Sequence, residues 1–97
     1  MKAIRWSEQA IEDYDRNLEY LQIEWTEREE IIFNLKVAKT LRNISTMPEL
    51  YPVAIIGSTI VRKAVITTQI TLYYLVLEDQ ILLVRFKNNF QAPNSGL

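Results

Sequence analysis

The sequence predicts an α+β domain of order β-α-α-β-β-β, a helical hairpin packed on a small, mainly antiparallel sheet. Three observations carry this reading. Two consecutive stretches repeat apolar residues at three- and four-residue spacing, the period of an amphipathic helix. A capping box stands between them and leaves no room for a loop. Three apolar runs then follow, joined by three-residue polar connections, as in an antiparallel meander.

Each element has its own justification. In Lys2–Trp6, Ile4 and Trp6 share one face of a short alternating strand. Ser7 stands where a helix N-cap belongs, with Glu8 and then Glu12 and Asp13 set against the positive end of the helix dipole. Ala10, Tyr14, Leu18, Leu21 and Trp25 form one stripe, predicting a helix of about 17 residues. Thr26-Glu27-Arg28-Glu29 is the capping box that opens the second helix, so the two helices form a tight hairpin. Its stripe is read as Ile31, Leu35, Ala38 and Leu41, widened by Phe33, Val37 and Ile44. It should end before Met47-Pro48, because the residue ahead of a proline is forced out of the helical region.

Glu49–Ser58, with Pro52 and Gly57, reads as a loop or an irregular strand entry. The strand runs are Ile60–Ile66, Ile70–Leu77 and Ile81–Phe86. In the middle run Ile70, Leu72, Tyr74 and Val76 line one face, and Tyr73, Leu75 and Leu77 the other. In the last run Leu82, Val84 and Phe86 oppose Ile81 and Leu83. Strands apolar on both alternations expect cover on both faces. A two-helix hairpin covers one, so the other is packed by loop and tail or left as a docking surface. Residues 1–97 read as a single domain, with a polar, loose tail over 88–97.

Composition narrows the chemistry. The chain has no cysteine and no histidine, which removes disulfides, thiolate nucleophiles and the commonest general base and metal ligand. No tight carboxylate cluster suggests a metal, and no cofactor is expected. No apolar stretch approaches the roughly 20 residues of a membrane span, and no signal peptide is visible, so the expected location is cytoplasmic. The net charge of −1 is unevenly spread: residues 1–34 carry −5 and residues 35–97 carry +4. That asymmetry suits an acidic partner for the second half, or else a solvated acidic helix beside an ordinary sheet.

The motifs in order are Trp6-Ser7-Glu8-Gln9-Ala10 with Asp13, Tyr20-Leu21 and Trp25, then Phe33, Leu41, Ile44 and Pro48 with Tyr51-Pro52. Arg62, Leu72-Tyr73-Tyr74-Leu75-Val76 and Ile81-Leu82-Leu83-Val84-Arg85-Phe86 follow. In this order and spacing they resemble the RelE/ParE superfamily of toxin–antitoxin toxins, the plasmid stabilization proteins, over roughly residues 2–93. The resemblance implies a growth inhibitor neutralised by a cognate antitoxin. Its target would be DNA gyrase, bound as by ParE, or the ribosome, on which RelE-like members cleave mRNA with clustered Arg and Lys and a C-terminal Tyr.

Carried over residue by residue, Arg62 stands at the arginine that opens the family's second strand, with Lys63 beside it on the opposite alternation. Arg85 and Lys87 share one alternation near the end of the sheet. These four are the candidate catalytic cations, and Arg62, Arg85, Lys87 and Phe90 the candidate target- or antitoxin-binding residues. Phe90 occupies the place of an arginine that relatives carry ahead of Gln-x-Pro, and no tyrosine follows Tyr74. Both departures favour a toxin that acts by binding over a RelE-like mRNA endonuclease, or an attenuated relative that binds antitoxin alone. An exposed apolar sheet face would also favour a homodimer.

Overall fold

The computed structural model describes residues 1–89. Strand β1 (Ala3–Trp6) leads into helices α1 (Glu8–Glu24) and α2 (Glu27–Thr46), followed by strands β2 (Val53–Ile56), β3 (Thr59–Val65), β4 (Ile70–Val76) and β5 (Gln80–Asn88). The five strands form one mixed sheet in the order β1-β5-β4-β3-β2, with β1 parallel to β5 and every other pair antiparallel. The two helices pack on one face of it.

The local signals act as expected. Ser7 Oγ accepts from Ala10 N (3.0 Å) at the start of α1 and donates to the Val84 carbonyl (3.1 Å), tying that helix start to β5. Both bonds of the Thr26/Glu29 capping box are made. Tyr14, Trp6 and Phe86 meet in edge and stacked contacts, and Trp25 stands edge-on to Phe33. The aromatics therefore join the helical layer to β5. Ser45 Oγ donates to the Lys2 carbonyl (2.6 Å) and Lys2 N to the Ser45 carbonyl (3.0 Å), which fastens β1 to the last turn of α2.

Three expectations need correction. Residues 49–58 hold a strand, β2, because Gly57 (φ +61°) and Ser58 make a two-residue hairpin that pairs Ile56 with Thr59. The buried face of α2 is Phe33, Val37, Thr40 and Ile44, and not the stripe through Ile31 and Leu35, which are 53 % and 64 % exposed. Both stripes have helical spacing, and the larger aromatic takes the core. In β5, Tyr73 faces Arg85 while Tyr74 faces Leu83, so Val84 is the extra residue of a β-bulge. The bulge shifts the alternation by one, and Phe86 joins Ile81 and Leu83 on the buried face instead of opposing them. The strand also runs on to Asn88, the first residue assigned to the tail.

Candidate functional site: the basic face of the sheet

The strands carry Arg5, Arg62, Lys63, Arg85 and Lys87 and no Asp or Glu, whereas α1 carries six acids against Arg16 alone. The sheet is thus basic and the first helix acidic, so charge is divided between layers as well as between halves of the sequence.

Cross-strand neighbours share a face, so the register sorts these cations. Arg62 lies opposite the buried Tyr74, on the helix side. Its guanidinium donates to the Tyr51 carbonyl (2.7 Å) and reaches the Glu49 carbonyl (3.4 Å). Tyr74 Oη donates to the Pro48 carbonyl (2.8 Å) and its ring stands edge-on to Tyr51. Arg62 and Tyr74 therefore hold the chain between α2 and β2 in place. Burial pushes the Tyr74 phenol up to about 12, against the opposing pull of the Arg62 charge.

Lys63 lies opposite Tyr73, and Tyr73 opposite Arg85, so a Lys–Tyr–Arg row crosses β3, β4 and β5 on the face away from the helices. The Cα atoms of Lys63 and Arg85 stand on the order of 10 Å apart, two strand spacings. Lys87, opposite Thr71, and Arg5, opposite Leu82, lie on the same face. The structure brings Lys63, Arg85, Lys87 and Arg5 to one surface and leaves Arg62 on the other side of the sheet. Phe90 falls outside the described residues.

Arg85 has a partner that the sequence reading missed. Asp13, on α1 and 2 % exposed, accepts from Arg85 Nε (3.0 Å) and Nη2 (3.2 Å), from Gln9 Nε2 (2.9 Å), and from the Phe86 backbone N–H (3.1 Å). Burial pushes the Asp13 carboxyl up, but the bonds from Arg85 and Gln9, the Arg85 charge and the Phe86 N–H outweigh it and hold it below its ordinary value. The Asp13 hydrogen bond raises Arg85 in turn, against a smaller contribution from burial. Asn17 Nδ2 donates to the Phe86 carbonyl (3.2 Å), so α1 supplies both hydrogen bonds that a neighbouring strand would give Phe86. Asn17, one helical turn after Asp13 and buried like it, marks a polar strip on this face of α1, although nothing in the sequence names Arg85 as its partner.

The row can attract and seat negative charge, but it assembles no evident acid–base pair. Asp13 offsets the charge of Arg85, and the side chain between the cations is the Tyr73 phenol. A separate cleft of about 450 Å³ lies between Lys2, Met47–Leu50 and Val76. The Lys2 ammonium there donates to the Leu77 and Glu78 carbonyls (2.5 and 3.0 Å), and Glu49 is the one carboxylate in the lining. Among the described residues no group of three metal-capable side chains occurs, and no helix is long and apolar enough to cross a membrane.

No protein-family model matches the chain, and no curated protein matches it. Solved structures do. A chain of the chromosomal ParDE TA system from P. aeruginosa aligns with a TM-score of 0.70 at 13 % identity, over 91 % of this chain and 96 % of that one. A copper-bound mutant toxin from Helicobacter pylori aligns at 0.59 and 18 % identity, over 94 % and 98 % of the two chains. A conserved hypothetical protein from the same organism, solved in solution, gives 0.61 and 19 %, over 95 % and 99 %. At these identities the likeness is one of fold: the chain shares the architecture of these three structures.

Proposed function

We propose that this protein is the toxin of a type II toxin–antitoxin pair, arresting growth by binding a protein target such as DNA gyrase and silenced by a cognate antitoxin. The observation that carries the reading is the outer face of the sheet. It mixes Arg5, Lys63 and Lys87 with the half-buried Tyr73, Leu75 and Leu82, and its strands hold no acid. A basic surface with an aromatic and aliphatic floor suits an acidic protein partner, which it would steer by charge and hold by desolvation. The overall likeness to toxin–antitoxin structures supports the pairing with an antitoxin.

Phosphoryl chemistry on mRNA is the second reading, and the Lys63–Tyr73–Arg85 row is the observation in its favour. It would need cations converging on one phosphate and a group to move protons. Arg62 on the helix side and Arg85 held by Asp13 weigh against it.

Induced expression in a bacterial host without antitoxin tests both readings. The binding reading expects arrest with DNA-damage signalling and intact message, abolished by Lys63→Glu with Lys87→Glu in a folded protein. Arrest with early collapse of translation and cleaved message would replace it with the endonuclease. Harmless overexpression would leave an attenuated relative that only binds antitoxin.

A further inference from the structure

At one end of the sheet, β2 presents an edge that no described element covers. The hairpin fixes which of its main-chain groups are committed. Two-residue turns close on a hydrogen-bonded pair, here Ile56 and Thr59, so Ala54 and Val61 form the next such pair. The Pro52 carbonyl continues the ladder by accepting from Lys63 N (2.9 Å). The intervening residues, Val53 and Ile55, therefore aim their N–H and C=O groups away from β3. Their side chains lie on the same face as Ile60, and the three are 57 %, 69 % and 67 % exposed. The strand reads Val-Ala-Ile-Ile, without the lysine, internal proline or bulge that ordinarily keeps an edge from pairing.

We infer that this edge is a homodimer interface, in which β2 of two copies pairs antiparallel about a two-fold axis through Ala54. The register is self-complementary. With Ala54 on the axis, Val53 of each copy stands opposite Ile55 of the other, and the four outward donors and acceptors of each strand find one another in four hydrogen bonds. The same register sets Val53, Ile55 and Ile60 of both copies side by side, joining two exposed apolar patches into one. It also sets no charge against a like charge, because β2 carries none. The result is a continuous ten-stranded sheet. The inference stands apart from any toxin role, since it uses only the strand edge.

Sedimentation velocity on the full chain over a concentration series tests it, with three variants. The wild type is expected to pass from the 11.4 kDa monomer to about twice that mass. Ile55→Pro removes an outward N–H and no hydrogen bond within the chain. It should raise the dimer dissociation constant roughly thirtyfold, through two lost hydrogen bonds per dimer. Ile55→Lys should abolish the dimer while the far-UV circular dichroism and unfolding midpoint of the monomer hold, which keeps the test valid where the proline disturbs the hairpin. In this cysteine-free chain, Ala54→Cys puts two thiols at a non-hydrogen-bonded pair, within the Cα separation that a disulfide spans. It should oxidise to a covalent dimer, while Val65→Cys, exposed but off the axis, should not. Three results would each overturn the inference: a wild type monomeric at several hundred micromolar, a dimer undiminished by Ile55→Lys, or cross-linking of Ala54→Cys no better than of Val65→Cys. The first would leave the edge for a strand of a different chain.

Discussion

The two edges of this sheet are finished in opposite ways. At one, β5 is paired by β1 only as far as Leu83, and α1 supplies the rest. Ser7 takes the Val84 carbonyl, Asp13 the Phe86 N–H and Asn17 the Phe86 carbonyl. At the other, β2 ends the sheet with apolar side chains in solvent and main-chain groups aimed outward. The difference teaches that a helix with polar side chains at the right turns can stand in for a missing strand. Where no helix lies alongside, the edge remains available for assembly. It also explains the buried polar pair Asp13 and Asn17: both are acceptable in a small core because strand groups and Arg85 complete their hydrogen bonds.

Breaking the sealed edge should have the largest effect. Asp13→Ala leaves the buried Phe86 N–H without its acceptor and Arg85 without its counter-charge. A loss of about 3 kcal/mol in urea unfolding is expected, the lower end for a buried pair because Arg85 is 39 % exposed. The same contact sets an acid limit. A carboxyl held below its ordinary value of 3.8 stabilises the fold fully above that pH, and the contribution fades as pH falls through the lower folded-state value. Asp13→Asn should therefore flatten the stability–pH curve below about pH 4, while above it the variant is the less stable chain.

Smaller effects sharpen the open side. Gly57→Ala keeps a φ of +61° that a Cβ disfavours, although nothing crowds the added carbon. It should cost about 1 kcal/mol and loosen β2 first. Tyr74→Phe loses the bond to the Pro48 carbonyl, for about 1 kcal/mol. Because the Tyr74 phenol is raised from 10.0 to about 12, its contribution is whole below pH 10 and lost as pH rises through 12. The Phe variant should lack that alkaline limb, read by fluorescence-monitored unfolding across pH 9–12. Ile55→Lys, on the open edge, should shift monomer stability by less than about 0.5 kcal/mol, and that contrast with Asp13→Ala is the comparison in its plainest form.

Local rules and tertiary choices divide what the sequence made legible. Ser7, the Thr26/Glu29 box and Met47-Pro48 mark helix ends through bonds made within a few residues, so both helices were readable to their boundaries. The outward stripe of α2 misled because Ile31 and Leu35 keep helical spacing as well as Phe33 and Val37 do. Only packing against the sheet separates the two. Pro52 obscured β2, yet it sits just ahead of the strand, where the ladder asks only for its carbonyl. The bulge at Val84 left no mark in the apolar run Ile81–Val84, and it decides that Phe86 points inward. Of the candidate cations, alternation alone separated Arg62 from Lys63. That Asp13 would hold Arg85 was beyond reach, since the two lie 72 residues apart.

Residue-resolved hydrogen exchange on dilute monomer tests the contrast between the edges most directly. The Phe86 amide is expected to exchange only through global unfolding, Asp13→Ala to release it selectively, and the Val53 and Ile55 amides to exchange at nearly the rate of an open chain. Fast exchange at Phe86 in the wild type, or protection of Val53 and Ile55 in the monomer, would contradict that contrast.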